Sequence, residues 1–265
     1  KKAKTSVKVT MPSGAHLKEE DFQQIMEATR SLSLESNGQI TLDLSETTAW
    51  SKTINGLDND TKKYVGFCGG SNRENGIKNV SEFRLPQGII QIMNRAFAYS
   101  DYTKIVVPAS LTQIAGSPSN GCDKMVWEVA PDNKSFKSDD KGALYDFAMT
   151  TLMVLNGGSG SAYTIHDGTT TIREWALYEN SVIESLTIPA SVKTLSADCI
   201  SGTSKLTTIT CLGTTPAAIK ANTGANRVGP KDKVKTLYVP RGCVDAYKTA
   251  WKVLLDEGNW EVRNA

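Results

Sequence analysis

Four stretches of the chain repeat one short pattern, and a repeat constrains the fold more than any single residue does. Phe83-Arg84-Leu85-Pro86, Ile105-Val106-Val107-Pro108, Leu186-Thr187-Ile188-Pro189 and Leu237-Tyr238-Val239-Pro240 each read apolar, variable, apolar, proline. Tyr163-Thr164-Ile165-His166 is a fifth copy, with histidine at the proline position. Pro86 lies 22 residues before Pro108, and His166 lies 23 before Pro189. Apolar residues recur three and six places later: Ile89 and Ile92, Leu111 and Ile114, Val192 and Leu195. After His166 those places hold Thr169 and Ile172. Upstream of the strands a small residue precedes a bulky apolar one, as in Ala176-Leu177 with Ile183 and Cys199-Ile200 with Leu206. Ala96-Phe97 with Thr103 fits less well, and around Met125 only Cys122 and the apolar position survive.

Each repeat is a coil that cannot bury its apolar face alone. The alternating triplet predicts a short strand, its outer two side chains inward and its middle one outward. Proline ends the strand, where its missing N–H costs the ladder least. The later apolar positions turn the chain back across the layer, and stacking coils buries a continuous core behind a row of parallel strands. A period of 22–23 residues falls within the leucine-rich-repeat range. The expected fold is a mainly β (or α/β) solenoid, a right-handed leucine-rich-repeat coil with short parallel strands, an inserted hairpin and helical caps.

These repeats resemble the BspA-like (Treponema-type) leucine-rich-repeat surface proteins, known mainly from Bacteroidetes and other host-associated microbes. Their pattern runs close to small-Phe-x-x-Cys-x-x-Leu-x-x-Ile-x-Ile-Pro-x-x-Val-x-x-Ile. Cys122 stands at the pattern's cysteine, and Asn180 and Thr203 replace it in other coils. Residues 130–138, 141–145 and 152–155 are similar to a hairpin that the family inserts between coils. Thr236-Leu237-Tyr238-Val239-Pro240, running into residues 244–251, resembles the family's terminal cap. The resemblance covers about residues 79–262. It implies a non-catalytic surface or secreted protein that makes adhesive contacts.

Outside the repeats, residues 17–34 carry apolar Phe22, Ile25, Met26 and Leu32 behind acidic Glu19, Glu20 and Asp21, which suits a helix N-terminus. Residues 39–44 alternate through Ile40, Leu42 and Leu44 and read as a strand. We therefore expect an N-terminal cap over residues 1–45, with a separate small domain as the alternative. Leucine-rich repeats follow over 46–235, interrupted by insertions at 45–79, 131–160 and 213–235. A strand and capping helix over 236–265 close the chain, with a helix near 244–255 against which Trp251 and Trp260 pack.

Composition removes several function classes. With 30 Lys+Arg against 28 Asp+Glu and no long single-sign block, nucleic acid is not an expected partner. The short run Lys231, Lys233, Lys235 reads as a solvated loop. No apolar run is long enough to cross a membrane, so direct membrane insertion is not expected. Lys1-Lys2-Ala3-Lys4 carries no signal-peptide apolar segment and reads as a mature or trimmed start. Five separated cysteines without a CxxC pair, and only His16 and His166, argue for core thiols rather than a metal or redox centre. No Gly-x-Ser-x-Gly elbow is present, Gly157-Gly158-Ser159-Gly160-Ser161 lacks the lysine of a phosphate loop, and Asp139-Asp140 lacks the ligand series of a calcium loop. No catalytic residue, metal ligand or cofactor is expected.

A binding face remains. Strand alternation puts Arg84, Val106, Glu128, Thr164, Thr187, Thr210 and Tyr238 outward. The expected partners are host or bacterial surface proteins or polymers, met at an extracellular or cell-surface location. Two alternatives are a spacer or accessory domain without its own ligand, and a glycan-binding module or hydrolase built on the 45–79 loop.

Overall fold

The computed structural model describes residues 6–18, 20–21, 24–25, 27–29, 39–49, 52–54, 77–78, 80–220 and 228–265. The chain divides into two compact units, Lys1–Ser138 and Asp139–Ala265. Each is a parallel β-solenoid of the leucine-rich-repeat kind.

In the first unit five strands form one row in the order Ser6–Thr10, Gln39–Asp43, Val80–Arg84, Lys104–Val107, Val126–Val129, all parallel. Phe83 stands opposite Ile105, and Ile105 opposite Trp127. All three are buried, as are Leu85 and Val107. Phe97 packs edge-on against Phe83, Tyr102 and Trp127 with centroids 6.0–6.2 Å apart. Such edge-to-face rings add to the burial of their large apolar areas. The positions six after each proline, Ile92 and Ile114, lie in a second, two-residue strand row with Thr53–Ile54. The coil therefore has two strand walls, where the sequence predicted one strand and a turn.

The second unit repeats the plan. Its row runs Ala162–Thr164, Ser185–Ile188, Thr208–Cys211, Lys235–Val239, Trp260–Asn264, again all parallel. Tyr163, Leu186, Ile209 and Leu237 align inward and are buried. Thr171–Ile172, Thr194–Leu195 and Ala218–Ile219 form the short second row. The hairpin foreseen within 131–160 includes the antiparallel pair Leu144–Asp146 and Thr151–Val154.

Small-apolar pairs hold the third side of each coil. Ala96, Phe97, Ala176, Leu177, Cys199 and Ile200 are all buried. Backbone bonds link successive coils there, Phe97 N–H to Pro118 O (2.7 Å) in one unit and Leu177 N–H to Cys199 O (2.7 Å) in the other. At the family's cysteine position the side chain serves the backbone. The Asn180 amide donates to Leu155 O, and its Oδ1 accepts the N–H groups of Val182 and Ile183. Cys122 Sγ donates to Phe97 O and Thr203 Oγ1 to Ile200 O.

Three readings needed correction. The strand row begins one strand earlier than the sequence suggested, so Gln39–Asp43 is paired on both sides. At the other end the helix expected near 244–255 is two helices, Val244–Ala250 and Lys252–Gly258, meeting at Trp251. The Trp251 indole leaves that junction to donate to Ala217 O at 2.9 Å, and Trp260 belongs to a last strand instead of a helix surface. Lys235 is not in a solvated loop. It opens the strand Lys235–Val239, whose alternation turns it inward with Leu237 and Val239, and it is 2% exposed. Of residues 17–34, those at 20–21, 24–25 and 27–29 are helical, and the rest of that expected helix lies outside the described residues. So do Trp50, Cys68 and most of the 45–79 insertion.

Candidate functional site

The seven outward residues fall into two ladders, one per unit. In the first, Arg84 stands opposite Val106, and Val106 opposite Glu128. In the second, Thr164, Thr187, Thr210 and Tyr238 follow one another across four strands. All seven are exposed or half-exposed. Sequence reasoning missed the ladder ends, Asp43 beside Arg84 and Arg263 beside Tyr238. Neither strand carries the proline that follows Arg84, Val106, Thr187 and Tyr238 by two residues. It also missed the parallel ladder two residues earlier: Thr41, Glu82, Lys104 and Val126 in one unit, Ala162, Ser185, Thr208, Thr236 and Glu261 in the other.

The two faces differ in electrostatics. On the first unit, Arg84 pairs with Glu82 (2.6 Å) and lies 4.0 Å from Asp43, while Lys104 pairs with Glu128 (2.7 Å). Its charges are spent on one another. Exposed pairs of this kind add at most about 1 kcal/mol. On the second unit the face is uncharged from Ala162 to Tyr238. Charge returns only at its edge, where Arg263 is held by Glu261 at 2.6 Å, a contact that raises the guanidinium pKa.

Clusters of polar groups elsewhere are structural. Asp139 Oδ1 accepts the N–H groups of Lys141 and Ala143, and its Oδ2 accepts the Tyr163 hydroxyl. Tyr163 meets the Tyr145 hydroxyl at 2.8 Å, and Tyr145 in turn accepts the His166 N–H. Burial pushes both phenols above their ordinary pKa, so they stay protonated and join the hairpin to the first coil of the second unit. His166 itself is exposed and rests its ring edge-on against Tyr145. Burial likewise pushes the Cys199 and Cys211 thiols up to about 12, which suppresses their thiolates. Cys122 is also buried, whereas Cys243 is half-exposed. A groove of about 630 Å³ beside the last strand is lined by residues including Lys252, Asp256, Trp260 and Arg263. Its Lys252 is already paired with Asp256. Among the described residues no group of three His, Cys, Asp or Glu is placed to hold a metal ion. Among them, too, no helix is long and apolar enough to cross a membrane.

Two strand walls, a period of 22–23 residues and backbone-serving side chains at Cys122, Asn180 and Thr203 define a leucine-rich-repeat protein. Residues 74–136 and 156–222 match the family described as BspA type Leucine rich repeat region, in six copies. These two segments carry BspA-type leucine-rich repeats. The chain is similar in fold to a leucine-rich repeat protein from Eubacterium ventriosum, at 15% identity over 91% of this chain and 70% of that one, with a TM-score of 0.50. A leucine rich cell surface protein from Faecalibacterium prausnitzii also matches, at 11% identity over 98% and 89% of the two chains, TM-score 0.45. A third is a leucine-rich repeat protein from Bacteroides ovatus, at 14% identity over 98% of this chain and 61% of that one, TM-score 0.42. No curated protein matches the chain by sequence.

Proposed function

We propose that this chain is a non-catalytic binding protein of the cell surface or the extracellular space. It makes adhesive contacts with host or bacterial surface proteins or polymers through its outward strand ladders. One observation carries this reading: Arg84, Val106 and Glu128, and Thr164, Thr187, Thr210 and Tyr238, form in-register ladders open to solvent on rigid strands. Rigid rows of this kind suit a large partner, because little ordering entropy is lost on contact. The family's implied role as a surface protein supports the location. Enzymatic chemistry has no support in the polar clusters, which are occupied in holding turns and hairpin together.

The purified protein, probed against an array of host proteins and glycans, should capture at least one ligand. Replacing Arg84, Glu128 and Tyr238 together by alanine should weaken that capture. Unchanged capture would reject the ladders as the contact surface. A silent array would favour the spacer reading, which the self-neutralised charges of the first unit's face also suit.

A further inference from the structure

The outward face of the second unit carries a lattice of hydroxyls. Ser185, Thr208 and Thr236 form one row, and Thr164, Thr187 and Thr210 form the next. Parallel pairing spaces members of a row by about 4.8 Å, and the strand repeat separates the rows by about 6.7 Å. These six hydroxyls make no hydrogen bond to the described chain. Threonines elsewhere in the unit behave otherwise: Thr150 bonds Asp146, Thr170 bonds Thr150 O and Thr207 bonds Glu184 O. The lattice is uncharged, and its only aromatic member, Tyr238, stands at one end beside Arg263.

We infer that this lattice is a binding site for a neutral, hydroxyl-rich polysaccharide chain. The inference rests on the binding role proposed above and names the ligand class for one of its two faces. Charge selects the partner first. An anionic polymer laid on this face would lose hydration and meet only Arg263, whose charge Glu261 already offsets, which is unfavourable. A protein partner would find few of the aromatic and arginine anchors that dominate protein interfaces. A neutral sugar chain offers hydroxyls that both donate and accept, as threonine and serine do, so each can satisfy the other. Threonine methyls supply small apolar contacts for sugar C–H groups between those bonds. Tyr238 supplies a half-exposed aromatic ring at the end of the row.

Electrophoresis of the intact chain through gels containing one soluble polysaccharide tests this. Dextran, mannan and a β-glucan serve as neutral probes, and alginate as an anionic one. At least one neutral polymer should retard the protein while alginate does not. The Thr187→Val, Thr208→Val, Thr210→Val triple variant keeps side-chain shape and strand propensity but loses three hydroxyls. It should keep the parent's far-UV spectrum and bind the same polymer about tenfold more weakly or less. Equal retardation of parent and triple variant would overturn the inference. So would retardation by alginate alone, or by no neutral polymer. If the array still captures a protein ligand in that last case, the adhesive role survives and only the sugar assignment fails. Silence in both experiments would remove both.

Discussion

Asn180 is 5% exposed and uses both ends of its amide on the main chain. Asn133 does the same in the first unit, donating to Pro108 O and Leu111 O and accepting from Ser135 and Phe136. Truncating either strands buried backbone groups, so Asn180→Ala should lower stability by about 2–4 kcal/mol in urea denaturation. A change under about 0.5 kcal/mol would show that those groups find other partners. Lys235 is a second residue with a clear prediction. Its ammonium has Pro230 O at 3.2 Å and the Trp260 ring at 5.7 Å, and burial lowers its pKa. The folded state therefore binds this proton less tightly than the unfolded chain does. Stability from this group rises with pH between the lowered folded value and the ordinary one of 10.5, and is lowest below both. Lys235→Met should remove that rise in a pH series of melting temperatures, and should not destabilise the protein at pH 7. A large loss at pH 7 would mean that the ammonium is better compensated than its neighbours suggest.

At the scale of the element, proline-marked strands were legible because each puts two apolar side chains inward and stops at a fixed place. Leu85, Val107, Ile188 and Val239 are indeed all buried. Ser6–Thr10 and Trp260–Asn264 escaped notice because they lack the proline and the flanking apolar series. The inward Lys235 was misread because three lysines at alternate positions look like a solvated run unless the strand's register is known. The left-handed corners were invisible for another reason. Tyr99 and Gly121 occupy one corner in successive coils with φ of 57° and 70°, and Glu179 and Gly202 do so in the second unit. Non-glycine residues are tolerated there only because tertiary contacts hold them. Gly121 is different: an added Cβ would lie 2.5 Å from Tyr99 Cδ1. Gly121→Ala should thus cost about 1–3 kcal/mol by thermal denaturation, and Tyr99→Ala in the same chain should relieve part of the clash.

For the whole molecule, the longer strand row of each unit presents an outward face, and the two faces have opposite characters. One is charged and satisfied within itself, the other neutral with unengaged hydroxyls. The outward positions of both were readable from alternation, whereas the pairing of their charges needed the register between strands. The ligand was not readable, because exposed side chains on a repeat are under no packing constraint that sequence pattern reveals. Contact through either face depends on which side chains of a strand face water. Thermal denaturation of Thr187→Asp beside Ile188→Asp tests that directly. Neighbouring residues receive the same charge, so only their direction differs. Thr187→Asp should melt cooperatively within a few degrees of the parent, while Ile188→Asp, burying an unpaired carboxylate at a site 3% exposed, should not fold. A cooperative, parent-like Ile188→Asp, or an unfolded Thr187→Asp, would contradict the register and both faces with it.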